Sequence, residues 1–162
     1  MNKPCSLQEI EVIYNRYKKF VWKEIPKETK VNWKIKEMGF DLWERDYWGG
    51  NTTTIYIGNY YKPRSKILTS IIHEAIHLNT INEKTAKVLS GSKERAQARE
   101  IATCILTNMI IMRLNKKFNR KFRKNRFDRW YKEYEHLEKK FYSEKKAKNF
   151  YDFCELVKER IK

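Results

Sequence analysis

Two histidines and a glutamate in one short stretch, Ser70-Ile71-Ile72-His73-Glu74-Ala75-Ile76-His77, are the residues of this chain best placed to do chemistry. The pattern is H-E-x-x-H, and it uses two of the only 3 histidines present. Histidines four apart on a helix lie one turn apart on the same face, where both imidazoles reach one ion. Zinc accepts imidazole nitrogen readily, and a catalytic zinc site takes three protein ligands and leaves the fourth position to water. Glu74, beside the first histidine, is then placed to accept a proton from that water as general base.

These residues need a helix, and the flanking sequence provides one. Ser65 is expected to cap a helix running to about Thr80, with Ile67, Leu68, Ile71, Ile72, Ala75 and Ile76 making an almost wholly apolar body. Polar groups on so apolar a helix must be satisfied inside the protein. Two core histidines bonded to backbone or carboxylates would meet that demand; the glutamate in register between them favours zinc.

The third ligand must come from elsewhere, and a glutamate on the following helix is the gluzincin solution. Ser92 is expected to cap that helix, which runs to about Asn115 with Ala98, Ile101, Ala102, Ile105, Met109 and Met112 inward. Glu94 stands four residues before Ala98 and seven before Ile101, so it continues the apolar stripe, and it is the first choice. Glu100 stands about 100° from Ile101, on the polar flank, and is the reserve. Glu94 also has a role that needs no metal, as an acid favouring the helix N-terminus. The third histidine, His136, falls among Arg129, Lys132, Glu133 and Lys140 on a polar face and is the ligand to test if the partner is not glutamate.

Upstream, the Ser6-Leu7-Gln8-Glu9 capping box opens a helix with Leu7, Ile10, Ile13, Tyr14, Tyr17, Phe20 and Val21 in stripe, which Pro26 is expected to stop. Val31, Trp33 and Ile35 alternate with polar residues as a half-buried strand would. Gly49-Gly50-Asn51 signals a turn, and β-branched residues mark a further strand from Thr52 to Ile57. Trp43, Tyr47 and Trp48 suit either a substrate groove or core packing. After Gly91 the remaining 71 residues hold no glycine or proline, which predicts an all-helical half. Within it, a helix from near Asp128 buries Trp130, Tyr134, Leu137 and Phe141, and a last one buries Phe150, Phe153, Cys154, Val157 and Ile161. The expected fold is α+β: an N-terminal helix and small antiparallel sheet packed on the H-E-x-x-H helix, then a helical C-terminal half. It forms one domain, with helix and sheet in 1–64, the metal-site helices in 65–115 and a basic helical extension in 116–162.

Composition narrows the partners. Apolar residues at 41% and aromatics at 14% argue against wholesale disorder. No apolar run reaches the ~18 residues of a membrane span, and the N-terminus lacks signal-peptide character. The three cysteines, without C-x-x-C spacing, suit free thiols of a cytoplasmic protein. Formal net charge is +16, and it is uneven: residues 93–162 carry 21 Lys/Arg against 10 Asp/Glu. Arg113–Arg126 holds eight basic residues and no acidic one. Such a block suits a polyanion, which makes Lys116, Lys117, Arg120, Lys121, Arg123, Lys124 and Arg126 candidates for nucleic-acid contact, with Phe118, Phe122 and Phe127 interleaved for stacking. A solvated helix surface, with the aromatics in packing, accounts for the same residues.

The order of elements resembles small zincin metallopeptidases, and in particular the ImmA/IrrE-like group of bacterial and phage proteases, which cut repressor proteins. The likeness covers about residues 50–110. It rests on H-E-x-x-H and on Ala98-Arg99-Glu100-Ile101-Ala102-Thr103-Cys104-Ile105-Leu106, similar to that group's E-A-N-x-F-A-x-x-L-L. Laid on this pattern, the ligand glutamate falls on Gln97, a poor zinc ligand. SprT-like proteases, which act on DNA-bound proteins, resemble the N-terminal half comparably, but the third histidine they use is missing here. The resemblance implies a zinc-dependent endopeptidase acting on a protein substrate, regulatory or DNA-bound. It also implies that the strand at Thr53–Ile57 is an edge that receives substrate by strand addition. The rival readings are a nucleic-acid-binding protein, or a host-protein binder of a mobile element, with the metal site structural or vestigial.

Overall fold

The computed structural model describes residues 5–33, 35, 37–42, 49–50, 54–58, 63–81, 92–125, 132 and 147–161. Its elements are α1 (Leu7–Thr29), β1 (Gly39–Leu42), β2 (Gly49–Gly50), β3 (Thr54–Ile57), α2 (Arg64–Thr80), α3 (Lys93–Phe118) and α4 (Phe150–Lys158). Among the described residues no helix is long and apolar enough to cross a membrane.

Helix α1 starts where its capping box places it. Ser6 Oγ accepts from the Glu9 N–H at 3.2 Å while the Glu9 carboxylate accepts from the Ser6 N–H at 2.8 Å. It does not stop at Pro26 but runs through it to Thr29. Proline removes one intrahelical donor, yet Ile25 and Thr29 are fully buried and the Thr29 hydroxyl donates to the Ile25 carbonyl at 2.7 Å. Packing holds the last turn, and Lys30 ends it in the left-handed region with φ 50°.

The α+β class stands, but the sheet is not antiparallel as expected. Its order is β1-β3-β2, with β1 parallel to β3 over four residue pairs and two-residue β2 antiparallel on the other side. The strand expected at Val31–Ile35 is not formed among its described residues: Val31 and Trp33 are partly buried, and Trp33 packs on Trp22 of α1 with ring centroids 5.4 Å apart. The first strand lies instead at Gly39–Leu42, anchored to α1 by an edge contact of Phe40 on Tyr14. Gly49-Gly50 is strand β2. These shifts make β3 the central strand, so it is no free edge for substrate.

Helices α1, α2 and α3 pack on one another, and α4 packs on α3. Ile71, Ile72 and Ile76 of α2 meet Ile101, Ile105 and Leu106 of α3 in one core. Helix α2 begins at Arg64, with Pro63 rather than Ser65 at the N-cap. Ser92 caps α3 as expected, accepting from the Arg95 N–H at 3.2 Å. Met112 faces solvent at 49% exposure instead of the core. In α4 Phe150, Phe153, Cys154 and Val157 are buried as expected, and all three cysteines are free thiols. Trp43, Tyr47 and Trp48, the expected helix from Asp128 with its apolar residues, His136, Arg126 and Phe127 lie outside the described residues.

Candidate metal centre

Helix α2 delivers both histidines to one face, with ring centroids 4.8 Å apart and Nε2 atoms 3.1 Å apart. The carboxylate that meets them is Glu100 of α3. Its Oε1 lies 2.9 Å from His73 Nε2 and its Oε2 lies 3.0 Å from His77 Nε2. Two ligand atoms on a tetrahedral zinc, each bonded at roughly 2.05 Å, stand about 3.3 Å apart. The three contacts fall within a few tenths of an ångström of that spacing, so the donors converge on a point of the right size. Among the described residues this trio is the group able to hold a metal ion.

Glu94, preferred on helical phase, does not join them. It is exposed in the first turn of α3, while Glu100 lies six residues, or about 9 Å, further along the axis. The flank read as polar from sequence is the flank that faces α2. Gln97, where the family pattern placed the glutamate, stands nearly one turn before the carboxylate that reaches the histidines.

Electrostatics bind the trio together. Burial opposes charge on His73, but attraction to Glu100 and the hydrogen bonds the ring makes with Cys104 and Glu100 outweigh it and hold the ring well above its ordinary pKa. Burial pushes His77 below its ordinary value; the Glu100 hydrogen bond resists this and the charge on His73 adds to it. Glu100 would be raised by burial, yet the two rings hold it far below the usual carboxylate range. Carboxylate and imidazoles thus stabilise one another's charge inside the buried site. A dication taking the His73 nitrogen displaces its proton, so metal uptake and proton release are coupled.

Three further residues orient the donors, and sequence reasoning had assigned none of them this role. Arg99 donates from Nη2 to the His77 carbonyl oxygen at 3.0 Å, fixing α3 against the turn that carries the ligand. Cys104 Sγ stands 3.9 Å from His73 Nδ1. The side-chain amide of Asn125 stands 3.1 Å from the same nitrogen. A ring that gives Nε2 to a metal keeps its proton on Nδ1, and a carboxamide can present its oxygen to that proton.

The segment carrying Asn125 is clamped to α3 by two asparagines seven residues apart. Asn115 accepts from the Phe122 N–H and donates to the Phe122 carbonyl, both at 2.9 Å. Asn108 does the same for Asn125, at 2.7 and 3.2 Å. Buried Asn108 on an apolar stripe was the signal available in sequence, since a buried amide demands partners. Outer contacts of this kind are worth about 10–100-fold in metal affinity. Asn125→Ala should therefore weaken zinc binding by at least about tenfold with the fold intact, measured by chelator competition; unchanged affinity would remove Asn125 from the site.

Glu74 lies on α2 between the two histidines, partly exposed, with its carboxylate in the electrostatic field of Arg99. Of the basic candidates, Lys116, Lys117, Arg120, Lys121, Arg123 and Lys124 are exposed on the end of α3 and the segment after it. Phe118 and Phe122 are not free stacking platforms. Both pack edge-on against Tyr17, at 5.3 and 5.4 Å, and Phe118 also meets Phe20.

The chain matches no protein-family model, no curated protein and no solved structure.

Proposed function

We propose that this protein is a zinc-dependent endopeptidase. The observation that carries the reading is the arrival of Glu100, from a separate helix, within 3.0 Å of both histidines of an H-E-x-x-H pair. Two imidazoles and one carboxylate with an open side is the donor set of hydrolytic zinc sites such as those of His₂Glu peptidases. The same donors also suit iron, but a partly exposed glutamate between the histidines is what hydrolysis needs. Bound zinc would supply Lewis acidity toward the scissile carbonyl and lower the pKa of its water to about 7.

The remaining work falls to the chain. His73, His77 and Glu100 hold the ion, with Asn125 and Arg99 fixing the two histidine-bearing turns. Glu74 takes the proton from the attacking water and passes it to the departing amide nitrogen. Side-chain exposures of 12% and 19% for the histidines and 39% for Glu100 leave the ligands shielded but reachable.

The test uses the full chain. Wild-type protein should bind one zinc, and His77→Ala should bind none tightly. Glu74→Gln should retain the zinc and serve as a trap for the protein substrate. Wild type should then cut the trapped protein, with cleavage abolished by a chelator and restored by zinc. Wild type purified without zinc and unable to take it up, or a trapped protein left intact by the wild type, would overturn the reading.

A further inference from the structure

A cavity of ≈ 360 Å³ lies between α1, the start of α2 and the segment following α3, and it includes none of the metal-site residues. Its apolar lining is Val12, Ile13, Tyr17 and Phe122, of which Ile13 and Tyr17 are buried. Its rim is cationic, with Arg16 from α1, Arg64 from α2, and Arg120 and Lys121 from the segment after α3. Among the described residues no acidic side chain lines it.

Three separate elements therefore bring four like charges to one opening, an arrangement that is repulsive until an anion sits among them. Among the described residues the ion pairs are made elsewhere, as Arg113 does with Glu24 and Glu28, and none of these four side chains takes part in one. The first turn of α2 adds to the field: it holds no acidic residue and no side chain caps it. Arginine forks match phosphate oxygens in pairs, which a lysine-only patch does not.

We propose that this cavity receives one nucleotide of a single-stranded nucleic acid, with its phosphate among Arg16, Arg64, Arg120 and Lys121. The apolar lining of Val12, Ile13 and Phe122 takes the body of the nucleotide. Size selects the single strand, because the volume is at the lower end of small-ligand sites and no duplex enters such a space. Charge selects a strand over a free nucleotide, because exposed Lys116, Lys117, Arg123 and Lys124 flank Arg120 and Lys121 in the chain. Contact to phosphate and apolar surface carries no base code, so binding is insensitive to sequence. Binding here is independent of zinc.

The experiment is fluorescence anisotropy of a labelled 12-nucleotide single-stranded DNA of mixed sequence titrated with the full-length protein. One phosphate held in the cavity and about three more neutralised by the basic residues beside it predict a log–log salt slope near −3, a loss of roughly 50-fold between 50 and 200 mM salt. Arg16→Glu with Arg64→Glu, both exposed positions, should weaken binding at least tenfold. Lys19→Glu with Lys23→Glu, exposed on α1 outside the cavity and matched in charge change, should leave it within about twofold. His73→Ala should bind the strand as wild type does, which separates failure here from failure of the zinc reading.

Any one of four results would overturn the proposal. They are no binding at 50 mM salt, equal losses in the two charge-reversed pairs, duplex bound as tightly as single strand, or displacement of the strand by an acidic peptide or inorganic phosphate as readily as by unlabelled strand.

Discussion

Glu100→Ala is expected to weaken zinc binding by about 10²–10³-fold, while Glu94→Ala leaves it within about twofold. Structural zinc sites with four ligands bind with roughly 10–16 kcal/mol, or about 3 kcal/mol per ligand, which is two to three orders of magnitude in affinity. Glu100 touches both histidine nitrogens, at 2.9 and 3.0 Å; Glu94 is exposed in the first turn of α3. Competition against a chromophoric chelator measures both variants. Glu100→Gln, nearly the same shape without the charge, shows whether the loss comes from the ligand and not from disturbed packing. Equal losses in the alanine variants, or none in Glu100→Ala, would disprove the assignment.

The histidine pair was legible because its geometry is local: two side chains four residues apart on any helix share a face. The third donor was not, because its position depends on what surrounds α3. A single apolar stripe through Ala98, Ile101 and Ile105 fixes the phase of α3 only for a helix with one buried face and the opposite face wet. In the structure α3 meets α1, α2 and α4 at once, so a flank beside the stripe is also interior. Glu100 on that flank reaches α2, whereas Glu94 is exposed in the first turn of α3.

The sheet failed for a related reason. Strand signals rest on alternation, and β1 shows almost none: Phe40 is partly buried and its three companions in Gly39–Leu42 are exposed. The alternating Val31, Trp33 and Ile35 were real burial signals, but burial against α1 requires no ladder partner. The capping boxes and caps of α1 and α3 were readable because they involve residues three apart. The Asn108 and Asn115 clamps join α3 to chain 7 to 17 residues away, and periodicity carries no such information.

Arg113 shows how far a charge count can mislead about role, and its removal should have the second large effect. It heads the basic block that suggested a polyanion partner, yet its guanidinium turns inward to α1. There it lies 2.7 Å from Glu24 and 2.8 Å from Glu28, whose side chains are only 8% and 10% exposed. The two carboxylates stand four apart on one helix face, where like charges repel, and a single guanidinium separates them. Removing one partner of a buried pair costs about 3–5 kcal/mol when the charge left behind has no other compensation; here Lys27 stays 3.9 Å from Glu24, so compensation is lost only in part. Arg113 is itself one-third exposed, so water can enter in its place, and the low end of about 3 kcal/mol is expected for Arg113→Ala. For a chain of this length that is a fall in Tm of roughly 6–12 °C. Arg113→Ala combined with Glu24→Gln and Glu28→Gln should recover most of the loss, since neutral amides need no counter-charge. If the triple variant melts as low as Arg113→Ala, the loss comes from packing of the arginine stem and the uncompensated-charge account fails.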